Sequence, residues 1–204
     1  MESKITRSTW LARVISRVTN PCILSVAVLF SIAFTESTNV RALVNWEMTL
    51  LLFLVILPIT YTYMRSSRNR SRTRPRVNPI IFLKQHPRDI LILGFLSGLP
   101  CMAILVFLEA PLLLLETLIA LLASSIIVAS LNIFYRVSYH LAGLTISVVM
   151  SIITWGSIFL ITLAAIPLIS WAKYQLHEHT PTQLAIGIVI SLAVTGIILY
   201  VCSS

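Results

Sequence analysis

Charged residues are scarce in this chain of 204 residues. They make up 11% of it and only seven are acidic, whereas hydrophobic residues make up 57% and the mean hydropathy is +0.93. Soluble globular domains carry about 25% charged residues, so this composition excludes an ordinary soluble domain. Cysteine is scarce too. The three cysteines lie in or beside apolar segments without a CxxC pair, which supports neither a disulfide framework nor a thiolate metal site.

Long apolar runs fill most of the chain, at 21–34, 46–64, 90–108, 111–134, 141–169 and 182–201. A helix needs roughly 17–25 apolar residues to cross a hydrocarbon core of about 30 Å. We therefore predict an all-α, polytopic transmembrane helical bundle with six to seven membrane segments, forming a single domain over 1–204. The run 141–169 is long for one span and short for two. Its central stretch 154–157 (Thr-Trp-Gly-Ser) predicts a turn and two short spans, and Glu109-Ala110-Pro111 predicts a tight turn between spans three and four.

Basic residues concentrate in three polar regions: an N-terminal segment at 1–20, an interfacial loop at 65–89 and a candidate phosphate-site half at 136–183. With seven spans, fourteen of the fifteen Lys and Arg residues lie on one side of the membrane, and only Arg41 lies on the other. The positive-inside rule then predicts a cytoplasmic N-terminus. The plasma (cell) membrane is the expected location. The turn at 154–157 is essential here, because without it the stretch 173–183 would lie on the opposite face from 65–89 and 136–140.

The start of the last apolar run carries a helix N-terminus signal. Thr180 is a favoured N-cap residue, and Pro181 suits the first helical position, where a missing N–H costs nothing. A helix N-terminus next to Lys173 and His179 predicts a site for an anion such as a phosphate.

The polar regions hold residues in a recurrent order and spacing. These are Arg74-Pro75, then Ser138 and His140, then Lys173 with His179 six residues later, and Gly187 in the last apolar run. Over roughly 65–200 the pattern resembles the type 2 phosphatidic acid phosphatase superfamily of membrane lipid phosphatases. That family carries a lysine, six residues and Arg-Pro; then Pro-Ser-Gly-His; then Ser-Arg, five residues, His, three residues and Asp. The chain departs from these motifs at Ser67, Val137, Tyr139, Ala172, Lys173 and Gln183.

The resemblance implies an enzyme, a phosphoric monoester or diphosphate hydrolase without metal or other cofactor. Its substrate would be a lipid phosphate or (poly)prenyl diphosphate. His179 would attack phosphorus and form a phosphohistidine, His140 would protonate the leaving group, and Gln183 would take the place of the aspartate that orients the nucleophile. The implied phosphate-binding residues are Lys173, Arg74, Ser138, Arg68 and Arg136. Partners beyond the lipid substrate and the membrane are not indicated, and no nucleic acid is expected.

Other interpretations remain open. A catalytically inactive relative would bind anionic lipid or a protein partner through the same basic face, and Ser67, Tyr139 and Gln183 favour it. An arginine-rich loop is more often a topogenic or headgroup-binding segment than a catalytic one. A transporter is disfavoured because no charged residue lies convincingly in the middle of a span. The sequence His177-Glu178-His179 is only a weak indication of a metal site.

Overall fold

The computed structural model describes residues 7–18, 21–68 and 92–203, and within these ranges the chain is helical without strands. We number the helices in chain order. They are α1 (Arg7–Val18), α2 (Pro21–Glu36), α3 (Val40–Leu50), α4 (Leu57–Arg68), α5 (Leu99–Phe107), α6 (Leu112–Leu131), α7 (Tyr139–Trp155), α8 (Ala165–Gln175) and α9 (Pro181–Ser203). A π-helical segment, Leu51–Ile56, joins α3 to α4, a second one, Gly94–Gly98, precedes α5, and a 3-10 segment, Ser157–Ala164, precedes α8.

Four continuous helices are long and apolar enough to cross a membrane: Val40–Arg65, Leu112–Leu131, Ser157–Gln175 and Pro181–Cys202. Three shorter apolar helices accompany them, at Ile23–Glu36, Gly94–Phe107 and Tyr139–Trp155. The all-helical class is therefore confirmed for the described residues, and the apolar helices indicate an integral membrane protein. The number of six to seven membrane segments stays a prediction, because the three other apolar helices have at most 17 residues, the lower limit of the usual spanning length.

The predicted turn in the run 141–169 is present. Helix α7 ends at Trp155, and Gly156 follows with φ of 77°, a backbone conformation that a residue with a Cβ rarely adopts. The chain then returns along α7, since Ile169 of α8 packs in one buried cluster with Leu144 and Val148 of α7. Hence α7 and α8 form a helical hairpin, and the end of α8 lies at the same end of the bundle as the start of α7.

The turn predicted at Glu109-Ala110-Pro111 is also present. Glu109 has φ of 53°, its N–H donates to the carbonyl of Val106 at 3.1 Å, and the Ala110 N–H donates to the carbonyl of Leu105 at 3.0 Å. This pair of bonds is a Schellman motif, which satisfies the last carbonyl groups of α5 before the chain enters α6.

Helices α6, α7 and α9 pack against one another, and α2 packs along α7. The side chains of Ser25 in α2 and Ser147 in α7 are joined by a hydrogen bond of 3.1 Å between their Oγ atoms. The largest buried cluster takes residues from α2, α3, α5, α6 and α7: Leu29, Ile32, Ala33, Trp46, Leu50, Cys101, Leu105, Ala110, Leu114, Leu118, Ala120, Ile146 and Met150. A hydrogen bond of 3.1 Å from the Trp46 indole N–H to the Leu108 carbonyl ties α3 to the end of α5.

The basic N-terminal segment at 1–20 contains helix α1, which packs against α8. Ala12 is buried, and Ile15 joins the apolar cluster that contains Ile169 and Leu184, while Arg13 is exposed. Helix α1 therefore lies against the helix that leads to Lys173, an arrangement that the charge pattern alone did not predict.

Candidate functional site

The connection between α8 and α9 is a tight turn fixed by the main chain. His177 has φ of 53°, its N–H donates to the Tyr174 carbonyl at 2.9 Å, and the Glu178 N–H donates to the Lys173 carbonyl at 3.1 Å. These are the two bonds of a Schellman motif in which His177 occupies the left-handed position usually taken by glycine. The turn folds Glu178 back over the last turn of α8.

Glu178 in this turn forms an ion pair with Lys173, the predicted phosphate-binding lysine. Lys173 Nζ lies 2.8 Å from Glu178 Oε2, and the two side chains are 2% and 37% exposed. A cation in the last turn of a helix is also favoured by the helix dipole. Glu178 was not predicted from the sequence as the partner of Lys173. The available signal was an acidic residue five positions after a lysine, across the end of a helix.

A reciprocal capping box begins α9. The Thr180 N–H donates to Gln183 Oε1 at 3.1 Å, and the Gln183 N–H donates to Thr180 Oγ1 at 3.4 Å. The Thr180 carbonyl accepts the first helical bond, from Leu184 at 3.1 Å. The predicted N-cap at Thr180 and the predicted helix start at Pro181 are therefore both confirmed.

Gln183 also contacts the predicted nucleophile. His179 Nδ1 lies 3.3 Å from Gln183 Oε1, a long hydrogen bond. Because the Thr180 N–H can only donate, the atom that it meets must be the amide oxygen, and this fixes the orientation of the Gln183 amide. The oxygen cannot donate in turn, so the proton of the shared bond belongs to His179 Nδ1. In a neutral ring Nε2 is then the nitrogen with the available lone pair.

Ser138 lies next to this region. It is fully buried, and its Oγ accepts the Leu141 N–H at 3.4 Å as the N-cap of α7. Gly187, one turn after Gln183 in α9, packs so closely here that a Cβ on it would lie 3.0 Å from the Ser138 carbonyl oxygen. The small residue at 187 therefore allows the first turns of α7 and α9 to touch, and brings the stretch around Ser138 close to the stretch around Gln183.

His140 and Arg136 lie near the same end of the bundle but on other sides. At roughly 100° per residue, His140 lies about 160° around the α7 axis from Ala142, whose backbone contacts Gly187. His140 is half-buried in the first turn of α7, and Arg136 is exposed in the connection from α6. In this register His140 faces another side of α7 than the one that meets α9.

Asn132 shapes the connection that carries Arg136. Its Nδ2 donates to the carbonyls of Val128 at 2.8 Å and Val137 at 3.1 Å, and its Oδ1 accepts the Val137 N–H at 3.0 Å. The side chain thus bridges the end of α6 to the residue before Ser138. This role was not predicted from the sequence, although asparagine after an apolar helix is a usual turn signal.

Two predicted phosphate-binding residues are not placed. Arg74, with the rest of 69–91, lies outside the described residues, and Arg68 is the last residue of α4, with a side chain that is likewise outside the described part of the chain. Among the described residues, no group of three or more His, Cys, Asp or Glu side chains is arranged to hold a metal ion, and the weak indication at 177–179 gains no support.

The site is therefore a cluster at one end of the bundle, made of Ser138, Lys173, Glu178, His179, Thr180 and Gln183. Comparison with known proteins adds nothing to it: no protein-family model matches the chain, and no curated protein and no solved structure is significantly similar to it.

Proposed function

We propose that this protein is an integral-membrane phosphatase that hydrolyses a lipid phosphate or a (poly)prenyl diphosphate through a phosphohistidine intermediate. The observation that carries the proposal is the contact between His179 Nδ1 and Gln183 Oε1. An acceptor on Nδ1 holds the ring in the tautomer in which Nε2 can attack phosphorus. The capping box supports this role, because it holds Gln183 from a second direction.

In the proposed reaction, Nε2 of His179 forms a bond to phosphorus while the bond from phosphorus to the lipid oxygen breaks. His140, which faces another side of α7 in this structure, has to turn towards the site to give a proton to that oxygen. A water molecule then attacks the phosphohistidine, which releases phosphate and frees Nε2. Catalysis of phosphoryl transfer comes mainly from positioning and from charge on the equatorial oxygens, for which Lys173, Arg136, Arg74, Arg68 and the buried Ser138 are the proposed partners.

The ion pair between Lys173 and Glu178 affects how Lys173 can bind phosphate in this mechanism. Its ammonium is already 2.8 Å from the Glu178 carboxylate, so a bound phosphate has to share the ammonium or displace Glu178. Glu178 is partly exposed and can leave at moderate cost, because an exposed partner is already solvated. The same ion pair favours a second candidate function, an inactive relative that binds anionic lipid through its basic face, since Glu178 weakens Lys173 as an anion ligand.

Measurement of phosphate release by the purified protein distinguishes the phosphatase from the inactive, lipid-binding relative. The substrates are phosphatidate, phosphatidylglycerol phosphate and a polyprenyl diphosphate, and the variants are His179→Asn and His177→Asn. His177→Asn is the control, because His177 lies two residues from His179. Asparagine tolerates the left-handed conformation of His177, so the substitution preserves the turn. The phosphatase predicts that His179→Asn abolishes turnover and acid-labile labelling of the protein by a substrate with a radioactive phosphate, while His177→Asn preserves both. Folded wild-type protein that releases no phosphate from any substrate contradicts the proposal and favours the binding-only relative.

We also propose that the N-terminus is cytoplasmic, because the positive-inside rule places the side rich in Lys and Arg in the cytoplasm, and that the protein lies in the plasma membrane. The hairpin of α7 and α8 supplies a test of the topology. Trp155→Cys and Tyr174→Cys should be labelled by an impermeant thiol reagent from opposite sides, in a background with the native cysteines replaced. Labelling from one side would contradict the seven-span arrangement.

A further inference from the structure

A wide, open pocket lies at the opposite end of α7 from the candidate phosphatase site. It has a volume of about 400 Å³ and is lined by Phe30, Ser31, Phe34, Thr35, Glu47 and Trp155. Because α7 has 17 residues, about 25 Å of helix separates Trp155 from the start of α7 near Ser138. The pocket therefore shares no residue with the phosphatase site, and a ligand could bind in it whether or not the protein is a phosphatase.

The lining has the chemistry of a cation site. Three aromatic rings and one carboxylate line it, and no lysine or arginine does. Within the described part of the chain, no basic group forms an ion pair with the Glu47 carboxylate. The faces of aromatic rings attract cations, most strongly when the cation is drawn out of water. An anion would be repelled by Glu47, and a purely apolar ligand would leave the carboxylate without a partner.

The two hydroxyl groups in the pocket strengthen this selectivity. Ser31 Oγ donates its proton to the Ala27 carbonyl at 2.7 Å, and Thr35 Oγ1 donates its proton to the Ser31 carbonyl at 3.0 Å. Their protons are therefore committed to the backbone of α2, and only oxygen lone pairs remain for a ligand. A ligand that donates hydrogen bonds or carries positive charge fits such a lining.

The pocket lies near the ends of apolar helices, where the boundary of a bilayer is expected. Trp155 is the last residue of α7, and Glu47 adjoins Trp46, whose indole N–H donates to Leu108 just after the end of α5. Tryptophan is enriched at the level of lipid headgroups. The Trp155 ring is packed against Phe159, with ring centroids 4.8 Å apart, so one aromatic wall is already held in place.

We propose that this pocket binds an organic ammonium group, such as the ethanolamine or choline headgroup of a membrane lipid. The Glu47 carboxylate pairs with the positive charge, and Phe30, Phe34 and Trp155 surround the alkyl part. A free soluble amine carries the same group, so the experiment has to distinguish the two sources.

Native mass spectrometry of the full chain tests the proposal. The protein is equilibrated with equal amounts of phosphatidylethanolamine, phosphatidylcholine and phosphatidylglycerol of the same acyl chains. We expect wild type to retain the two ammonium lipids in preference to phosphatidylglycerol. Glu47→Gln should lower that preference roughly tenfold, the factor that corresponds to about 1.4 kcal/mol. Glu36→Gln is the matched control, because Glu36 ends α2 at the same end of the bundle but does not line the pocket.

Phe34→Leu is the second variant. Phe34 is 67% exposed, so its replacement should not impair folding, and the loss of the ring face should lower the preference for the ammonium lipids as well. An equal preference in wild type and Glu47→Gln, with both proteins folded, would overturn the proposal.

Addition of choline chloride then shows whether the pocket binds an ammonium group from a lipid headgroup only or also from a soluble amine. If soluble choline displaces the bound ammonium lipids from wild type, the pocket recognises the ammonium group from either source. If it does not, while binding still depends on Glu47, the pocket requires the headgroup of a lipid. Displacement that is the same in Glu47→Gln would overturn the assignment to this pocket.

Discussion

Gln183 has two tasks at the start of α9, and substitutions can separate them. Its amide oxygen accepts the Thr180 N–H at 3.1 Å and contacts His179 Nδ1 at 3.3 Å. Thr180→Ala removes only the acceptor for the Gln183 N–H, a loss of an N-cap that costs about 1 kcal/mol. Gln183→Leu removes the acceptor for both Thr180 and His179. The two variants should therefore lose similar stability but differ in activity.

The expected magnitudes follow from the contacts. A loss of about 1 kcal/mol lowers the melting temperature of a chain of this size by roughly 2–4 °C. The neutral hydrogen bond to His179 is worth about 1 kcal/mol, so its loss in Gln183→Leu should lower kcat about fivefold. Gln183→Glu keeps both acceptors and adds a negative charge. A charged acceptor is roughly twice as strong, so kcat should rise about fivefold above wild type. The charge should also stabilise the N-terminus of α9 by about 0.3–1 kcal/mol.

Thermal unfolding in detergent and phosphate release, both normalised to folded protein, measure these effects. Thr180→Ala should unfold at a lower temperature and keep its turnover. Equal losses of turnover in Thr180→Ala and Gln183→Leu, or a Gln183→Glu variant that is no faster than wild type, would refute the idea that Gln183 orients His179.

Five further substitutions test three other parts of the structure. His140→Asn should slow hydrolysis of an alkyl lipid phosphate by at least roughly 100-fold but should affect hydrolysis of p-nitrophenyl phosphate little, because a good leaving group needs no proton. Equal losses of turnover on both substrates would exclude general-acid catalysis by His140. Gly187→Ala places a Cβ 3.0 Å from a backbone oxygen and should destabilise the protein by about 1–3 kcal/mol, whereas Gly196→Ala, with nothing within 4 Å, should stabilise it by about 0.5–1 kcal/mol. Thr145→Val should raise the melting temperature, because its buried hydroxyl has no partner among the described residues, whereas Thr117→Val removes a bond of 2.7 Å to the Leu113 carbonyl and should lower it. A change in stability of the opposite sign in any of the four glycine and threonine variants would contradict the packing or hydrogen bond on which its prediction depends.

The helical class and the turns could be predicted from sequence because they depend on local signals. Apolar runs set the helices, Gly156 ends α7, and Thr180 with Pro181 starts α9. Each of these residues acts through its own backbone preference or through a partner three residues away. Such signals can be read without knowledge of the tertiary packing.

The pairing of side chains in the site could be predicted only in part. The resemblance to the phosphatase motif implied the contact between His179 and Gln183. The ion pair of Lys173 with Glu178 depends on the left-handed backbone conformation of residue 177. Glycine is usual at such a position, so the histidine found here did not indicate a tight turn. The ammonium pocket joins α2, α3 and α7, whose relative positions follow from packing alone.

The hydrogen bond between Ser25 and Ser147 has a consequence for the order of assembly, because the two residues are 122 positions apart in the chain. At a synthesis rate of roughly 5–20 residues per second, α2 waits on the order of 10 s for α7. During this interval Leu29, Ile32 and Ala33 of α2 lack Ile146 and Met150, their buried neighbours from α7. A nascent chain that ends before α7 therefore leaves this face of α2 without its packing partners.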